Sequence, residues 1–306
     1  MYSKMVNEKN QKGISIIIPV YNQQHNISTV AITVQMIIDT LSTDYEIIIV
    51  NDGSTDRTLE VIEELRNENY DKIKVVSYPK NRGKGYAVRS GIALSTGSIV
   101  MYLDGDMGVN PDKLRDYLAE LAHFDLVIAS KKHPQSKIEA LKSRRIESRL
   151  FNMFVSSLLG LSVKDTQSGL KVGNGKLLRL LFENIRSDRY AFDVELILLA
   201  QSLKLQIKEM PISLKLDRRF KINDVLNMAK DVLLIWYNYR INHSKIGNLR
   251  LTLQALYKQA DTDLLNNEGI SPSFPAQNLS ANVLQSESSE ASRVQIPTDT
   301  EPLVKA

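Results

Sequence analysis

An α/β fold built on a mostly parallel central sheet is predicted by three observations. Short runs rich in Ile and Val alternate with helix-like stretches through the first half of the chain. The runs are continuous rather than alternating, as strands buried on both faces are. Each of three runs ends in a conspicuous polar group: Tyr21-Asn22, Asn51-Asp52-Gly53-Ser54 and Asp104-Gly105-Asp106. Ligands of such sheets bind beyond the carboxyl ends of the strands.

Taken in order, the strands are Ile14 to Val20, Glu46 to Val50, Ile73 to Ser77, Ser98 to Leu103 and Asp125 to Ala129. The clearest helix between them runs from Ser54 to Asn67. Ser54 or Thr55 is expected to cap it, with Leu59, Ile62 and Leu65 at helical spacing. From Lys131 a basic connector leads to an apolar helix-like stretch, Leu150 to Leu161. Then come a polar loop, Lys164 to Lys171, leading into Val172, a helix from Tyr190 to Leu203 and a strand from Gln206 to Leu214. A final helix spans Asn223 to Tyr239, with Val225, Leu226, Met228, Ala229, Val232, Leu233, Ile235 and Trp236 on a broad apolar face. Beyond about Asn242 the chain is expected to lose its core. Residues 261–306 hold seven Ser, four Pro and one aromatic residue, and read as a disordered acidic tail.

The 306 residues, 43% of them hydrophobic, suffice for a large core without staples. With no cysteine, disulfides, thiolate metal sites and cysteine nucleophiles are excluded, and a reducing compartment is the simplest setting. Residues 1–12 have no apolar stretch of the secretory kind, and nowhere do 18 apolar residues run together. The expected setting is therefore cytoplasmic, with any membrane contact peripheral to its cytoplasmic face. The net charge is +4, but residues 261–306 carry two basic and seven acidic side chains, leaving about +9 on residues 1–260. Such an excess favours anionic partners. No nucleic-acid motif accompanies it, so nucleic acid is not an expected partner.

Asp104 and Asp106 leave a buried strand together. Mg²⁺ is usually held by one or two carboxylates while substrate phosphates complete its shell, so the pair suits a metal-diphosphate site. Asp52 follows a strand and precedes a helix, where it can join the cap or accept hydrogen bonds from a nucleobase or ribose. Asn81-Arg82-Gly83-Lys84-Gly85 sets two cations at a helix start, where a diphosphate could rest. Its spacing is neither that of the P-loop nor G-x-G-x-x-G.

In their order, Ile18-Pro19-Val20-Tyr21-Asn22, Val50-Asn51-Asp52-Gly53-Ser54-Thr55-Asp56, Asn81 to Gly85, Leu103-Asp104-Gly105-Asp106 and Asp165-Thr166-Gln167-Ser168-Gly169 resemble the family 2 glycosyltransferases. With Tyr190-Ala191-Phe192-Asp193-Val194-Glu195-Leu196 they resemble the branch that makes polyprenyl-phosphate sugars, dolichyl-phosphate β-glucosyltransferases above all. The resemblance covers about residues 13–240. It implies the GT-A fold, a three-layer sandwich with a mostly parallel sheet, followed by C-terminal amphipathic helices. Residues 1–12 are then an N-terminal extension, 241–260 a linker or helix, and about 138–161 and 222–240 interfacial helices of the transferase domain.

The resemblance also implies roles. Asp52 contacts the donor base, with Pro19, Tyr21 and Asn22 lining the same pocket and Lys84 on the donor nucleotide. Asp104 lies near the ribose or metal and Asp106 on the metal, Mg²⁺ or Mn²⁺. Asp165, Gln167 and Ser168 flank the reacting centre, and Lys171 stands where relatives often have Lys or Arg. Two departures bear on the donor. Gln23 replaces a frequent Glu, and Gly108 stands where mannose-synthase relatives carry Gln, which turns the expectation from GDP-mannose to a UDP-sugar.

The implied reaction is attack by a lipid phosphate on the anomeric carbon of a nucleotide sugar, with inversion. Polyprenyl phosphate is thus the acceptor, and Lys131, Lys132, Ser168 or Lys171 would hold its phosphate. A hydroxyl acceptor would need a base, for which Asp165 or Asp193 is available. Both are equally placed to be structural partners of nearby Lys or Arg. For membrane contact, residues 131–149 contain seven Lys/Arg against two Glu just before the apolar Leu150 segment, and Trp236, Tyr237 and Tyr239 suit an interface. Both segments are alternatively core-packing helices. A family 2 enzyme acting on a sugar hydroxyl and a non-catalytic nucleotide-sugar-binding module are the competing readings.

Overall fold

A computed structural model describes residues 12–42, 44–68, 72–105, 111–140, 153, 155–216, 222–241 and 247–256. The chain divides into two units, residues 1–250 and 251–306. Of the second unit, residues 251–256 are helical.

Seven strands form the central sheet of the first unit: β1 (Lys12–Val20), β2 (Tyr45–Asn51), β3 (Ile73–Ser77), β4 (Gly97–Leu103), β5 (Leu126–Ser130), β7 (Leu170–Asn174) and β8 (Ile207–Pro211), in the order β3-β2-β1-β4-β7-β5-β8. Every neighbouring pair is parallel except those made by β7, which runs antiparallel to both β4 and β5. A small second sheet pairs β6 (Lys137–Ala140) with β9 (Ser213–Leu216) in parallel.

The helices are α1 (Ile27–Asp39), α2 (Thr58–Glu68), α3 (Lys84–Leu94), α4 (Pro111–Glu120), α5 (Gly175–Asn184), α6 (Phe192–Ser202) and α7 (Ile222–Ile241). One core face joins alternate residues Ile14, Ile16 and Ile18 of β1 and Ile47 and Ile49 of β2 to Ile62 of α2, Val34 of α1 and Leu114 of α4. The intervening residues of β1 and β2 meet the opposite layer: a Cβ at Gly91 of α3 would lie 2.5 Å from Ile17 and 3.1 Å from Val50. On that face Tyr102 of β4 stacks edge-on with Phe182 of α5 and lies against Phe192 of α6. Helices on both faces of a sheet make the expected three layers.

The first five predicted strands are present within a residue or two. The helix after β2 differs, because it begins at Thr58 rather than Ser54. Its first turn is capped by Asp56, which accepts from Thr58 N–H at 3.0 Å. Ser54 and Thr55, expected as caps, instead tie this loop to the one after β1: Asn22 N–H donates to Ser54 Oγ and Thr55 N–H donates to Asn22 Oδ1.

Three strands escape a run-length reading. β7 was expected as a loop leading into Val172, and β6 lies in the supposed basic connector, so the interfacial helix expected from about 138 does not start there. The single strand expected from Gln206 to Leu214 is two, broken at Ile212, whose N–H turns to Ser136 Oγ. Nor does the core end at Asn242: Leu249 is buried and Arg250 donates to the Ser202 carbonyl. Residues 141–152 and the expected acidic tail lie outside the described residues. No helix among the described residues is long and apolar enough to cross a membrane.

Candidate active site at the carboxyl ends of the strands

The polar groups that end β1, β2 and β4 do converge. Asp104 follows β4, and its N–H donates to the Gly169 carbonyl at 2.9 Å. The loop after β4 and the loop before β7 thus touch through backbone. The approach is close enough that a Cβ at Gly169 would lie 2.0 Å from Asp104 Oδ2. Only glycine leaves that carboxylate its room. Asp106 and Gly108 lie outside the described residues.

Lys84, the first residue of α3, places its ammonium 2.7 Å from Asp104 Oδ1 and 3.8 Å from Asp193 Oδ2. The same ammonium stands 5.5 Å from the centre of the Phe192 ring. Asp193, in the first turn of α6, is buried, and its Oδ1 accepts from Tyr102 Oη at 2.7 Å and Lys171 Nζ at 2.5 Å. Lys171 must face this layer. Its neighbours Leu170 and Val172 belong to the other core, and successive strand residues point to opposite faces. Burial pulls the Lys171 ammonium below the usual lysine range while Asp193 opposes it, and burial with Asp193 raises the Tyr102 phenol.

The geometry moves one expected residue and decides between alternatives for two others. Lys171 is 0% exposed and gives its ammonium to Asp193 and the Ser168 carbonyl, so it lies beneath the site instead of on an acceptor phosphate. Asp165 and Asp193, candidates for a base, are both the structural partners of lysines. Asp165 is 0% exposed; its Oδ2 accepts from Lys131 N–H at 2.8 Å and lies 3.4 Å from Lys131 Nζ, and its Oδ1 accepts from Gln167 N–H.

Lys131 also donates to the Gln167 carbonyl at 2.8 Å, so it braces the Asp165–Gly169 loop. Lys132 beside it is exposed. Within the loop, Gln167 Nε2 and Ser168 Oγ are buried with no hydrogen-bond partner among the described residues. A buried donor left unsatisfied costs about 1–3 kcal/mol, so such groups call for a ligand or water. Composition did not point to Glu209 of β8, which holds the loop from behind by accepting from Lys164 N–H and Asp165 N–H at 3.1 Å each. Acidic residues on an edge strand read as solvated, and only the packing reveals this one.

Asp52 is 3% exposed and anchors the start of α3. It accepts from Asn81 Nδ2 at 2.8 Å, Arg82 N–H at 2.7 Å and Gly83 N–H at 3.0 Å. A carboxylate there is favoured by the helix dipole, so the chain supplies one anion of its own at this helix start. Gly83 has φ +105°, and a Cβ there would meet the Asp188 carbonyl at 2.5 Å, which explains the glycine. Burial, then the neighbouring Asp52 carboxylate, raises the Tyr78 phenol. Around the same crevice, Tyr21 is 44% exposed, Asn22 has φ 53° and Pro19 is half-buried, its carbonyl 3.3 Å from the position of a Cβ on Gly105.

The donor set fits a hard divalent cation. Asp104 is a carboxylate with a partly exposed side chain and already holds a cation, the Lys84 ammonium, against Oδ1. Among the described residues no three His, Cys, Asp or Glu side chains gather to hold a metal unaided.

Residues 15–182 match the family model described as Glycosyl transferase family 2. The chain is 30% identical over 255 residues to the dolichyl-phosphate beta-glucosyltransferase of Drosophila melanogaster, covering 78% of each. To that of Dictyostelium discoideum it is 30% identical over 253 residues, covering 76% of each. Among solved structures, it resembles glucosyl-3-phosphoglycerate synthase from Mycobacterium tuberculosis in complex with Mn²⁺, UDP-glucose and phosphoglyceric acid. The TM-score is 0.54 at 20% identity, over 77% of this chain and 82% of that one, a likeness of fold.

Proposed function

This chain belongs to glycosyl transferase family 2 and is a sugar-transferring enzyme, and we propose that it moves glucose from UDP-glucose onto a polyprenyl phosphate such as dolichyl phosphate, with inversion, at the cytoplasmic face of a membrane. The observation that carries this reading is the pair of unpartnered buried donors, Gln167 Nε2 and Ser168 Oγ, in a loop braced by Lys131 and pressed against Asp104. Buried donors with no internal acceptor suit the oxygens of an incoming phosphate.

In this reading a phosphate oxygen of the acceptor forms a bond to the anomeric carbon while the bond from that carbon to the UDP oxygen breaks. A phosphate monoester has a second pKa of roughly 6 and arrives as an anion. It needs no base, in keeping with the engagement of Asp165 and Asp193 by lysines. A sugar hydroxyl would need one. Lys131, Lys132, Gln167 and Ser168 hold the acceptor phosphate, and Lys84 meets the donor diphosphate. The uracil and ribose lie along Pro19, Tyr21 and Asn22, above the loop that Asp52 organises. Asp104, with Asp106, would hold Mg²⁺ or Mn²⁺, which when bound neutralises charge on the leaving diphosphate.

The membrane reading draws on α7. Its buried stripe is Met228, Val232 and Ile235, yet Leu233, Leu234 and Tyr237 are also exposed, apolar surface in excess of what the core uses. Incubation with radiolabelled UDP-glucose, Mn²⁺ and dolichyl phosphate should give an organic-extractable, mild-acid-labile glucolipid. Label incorporated only with phosphoglycerate or a glycan acceptor would sink the lipid assignment.

A further inference from the structure

We propose that Lys84 is an internal counter-ion with two seats, and that Asp193 is the positioning residue that receives its ammonium when a divalent cation and the donor diphosphate claim Asp104. The proposal rests on the donor-site reading above and adds to it how the site exchanges one cation for another.

Asp104 and Asp193 come from different elements, yet both reach one ammonium, at 2.7 Å and 3.8 Å. The nearer seat is the carboxylate suited to the metal. A divalent ion and an ammonium on the same carboxylate repel strongly in a crevice of reduced dielectric, so entry of one displaces the other. The second seat makes that displacement short. Asp193 is built to be immobile: Tyr102 Oη and Lys171 Nζ both donate to Oδ1, which turns Oδ2 toward Lys84. Lys171 is fixed in turn by the Ser168 carbonyl at 2.8 Å. Four charges, two lysines and two carboxylates, balance without external ions. Shifting the ammonium to Asp193 keeps a positive charge beside the diphosphate while leaving Asp104 to the metal.

Isothermal calorimetry of UDP with Mn²⁺ titrated in, on the full chain, tests this. In wild type UDP should bind in an Mn²⁺-dependent manner. Asp193→Asn keeps the size and the Oδ1 acceptor but removes the second seat, and the Mn²⁺ needed for half-maximal UDP binding should rise about tenfold, equal to about 1.4 kcal/mol. In a Lys84→Met background the same substitution should change it less than twofold, because no ammonium needs a seat. Asp193→Asn leaves Lys171 buried without its anion and is prone to unfold. The pair Asp193→Asn with Lys171→Met removes both buried charges, and should show the same tenfold rise only when Lys84 is present. An unchanged Mn²⁺ requirement in the double variant overturns the proposal, as does an equal rise with and without Lys84, the mark of a merely structural defect. Absence of UDP binding to folded wild type removes the donor reading, and the two-seat proposal with it.

Discussion

Glu46, near the amino ends of the strands, and Asp193, beside their carboxyl ends, are both buried acids facing a lysine, but their surroundings differ in kind. Glu46 accepts from Ser15 Oγ at 2.6 Å, Thr96 N–H at 2.7 Å, Thr96 Oγ at 2.8 Å and Lys74 Nζ at 2.5 Å. Those donors stitch β1, β2, β3 and the turn before β4 together. Burial pushes the Glu46 carboxyl up, but the bonds from Lys74, Ser15 and Thr96 outweigh it and hold it down at about 2. At the other end, one ammonium is shared by two carboxylates, and two donors of the adjoining loop have no partner among the described residues. Saturated charge holds a sheet together. Charge with competing or missing partners is what a ligand can rearrange.

The contrast can be broken most severely at Asp104. Asp104→Asn should lower turnover by about 10²- to 10³-fold, the scale for losing one electrostatic contact to the transition state, with the thermal midpoint unchanged. A thermal shift as large as the loss of turnover would move Asp104 to the structural side. Gly169→Ala is expected next, at about 10²-fold in kcat, since the new Cβ must displace the Asp104 carboxylate. Wild-type turnover in that variant would show that the carboxylate has room to spare.

The smallest effect on activity, and the sharpest on stability, belongs to Glu46→Gln. It should cost about 2–3 kcal/mol in urea unfolding at neutral pH, because it leaves Lys74 unpaired and weakens the bonds to Ser15 and Thr96, while kcat stays within about twofold. The pH dependence has a definite sign. A carboxyl lowered from 4.5 to about 2 on folding contributes its stability above pH 4.5 and loses it as pH falls toward 2. The gap between wild type and variant should therefore close across that window. A gap that persists at pH 2 would mean that packing, not charge, explains Glu46.

Much of this division was legible in the order of residues. The runs that became β1, β2, β3, β4 and β5 are local patterns, and buried parallel strands leave a continuous apolar signature. The placing of Tyr21, Asn22, Asp52 and Asp104 at their carboxyl ends follows from the same pattern. β6, β7 and β9 were hidden because none of them sets two Ile, Leu or Val side by side, as even the short β3 does with Val75 and Val76. Their pairing comes from partners about 70 to 76 residues away, Tyr102 opposite Lys171 and Lys137 opposite Ser213.

By itself, then, the sequence determined the α/β class, the edge of the sheet where the polar groups converge and the chemical types gathered there, because periodicity and strand ends are properties of neighbouring residues. Tertiary structure alone decided what each charge does. It set Asp52 to anchor a helix start, Asp165 to brace a loop through Lys131, and Lys171 to lie under the site beside Asp193. The role of a charged group depends on its burial and on which opposite charge lies within a few ångströms, and both are settled by elements that meet only after the chain has folded.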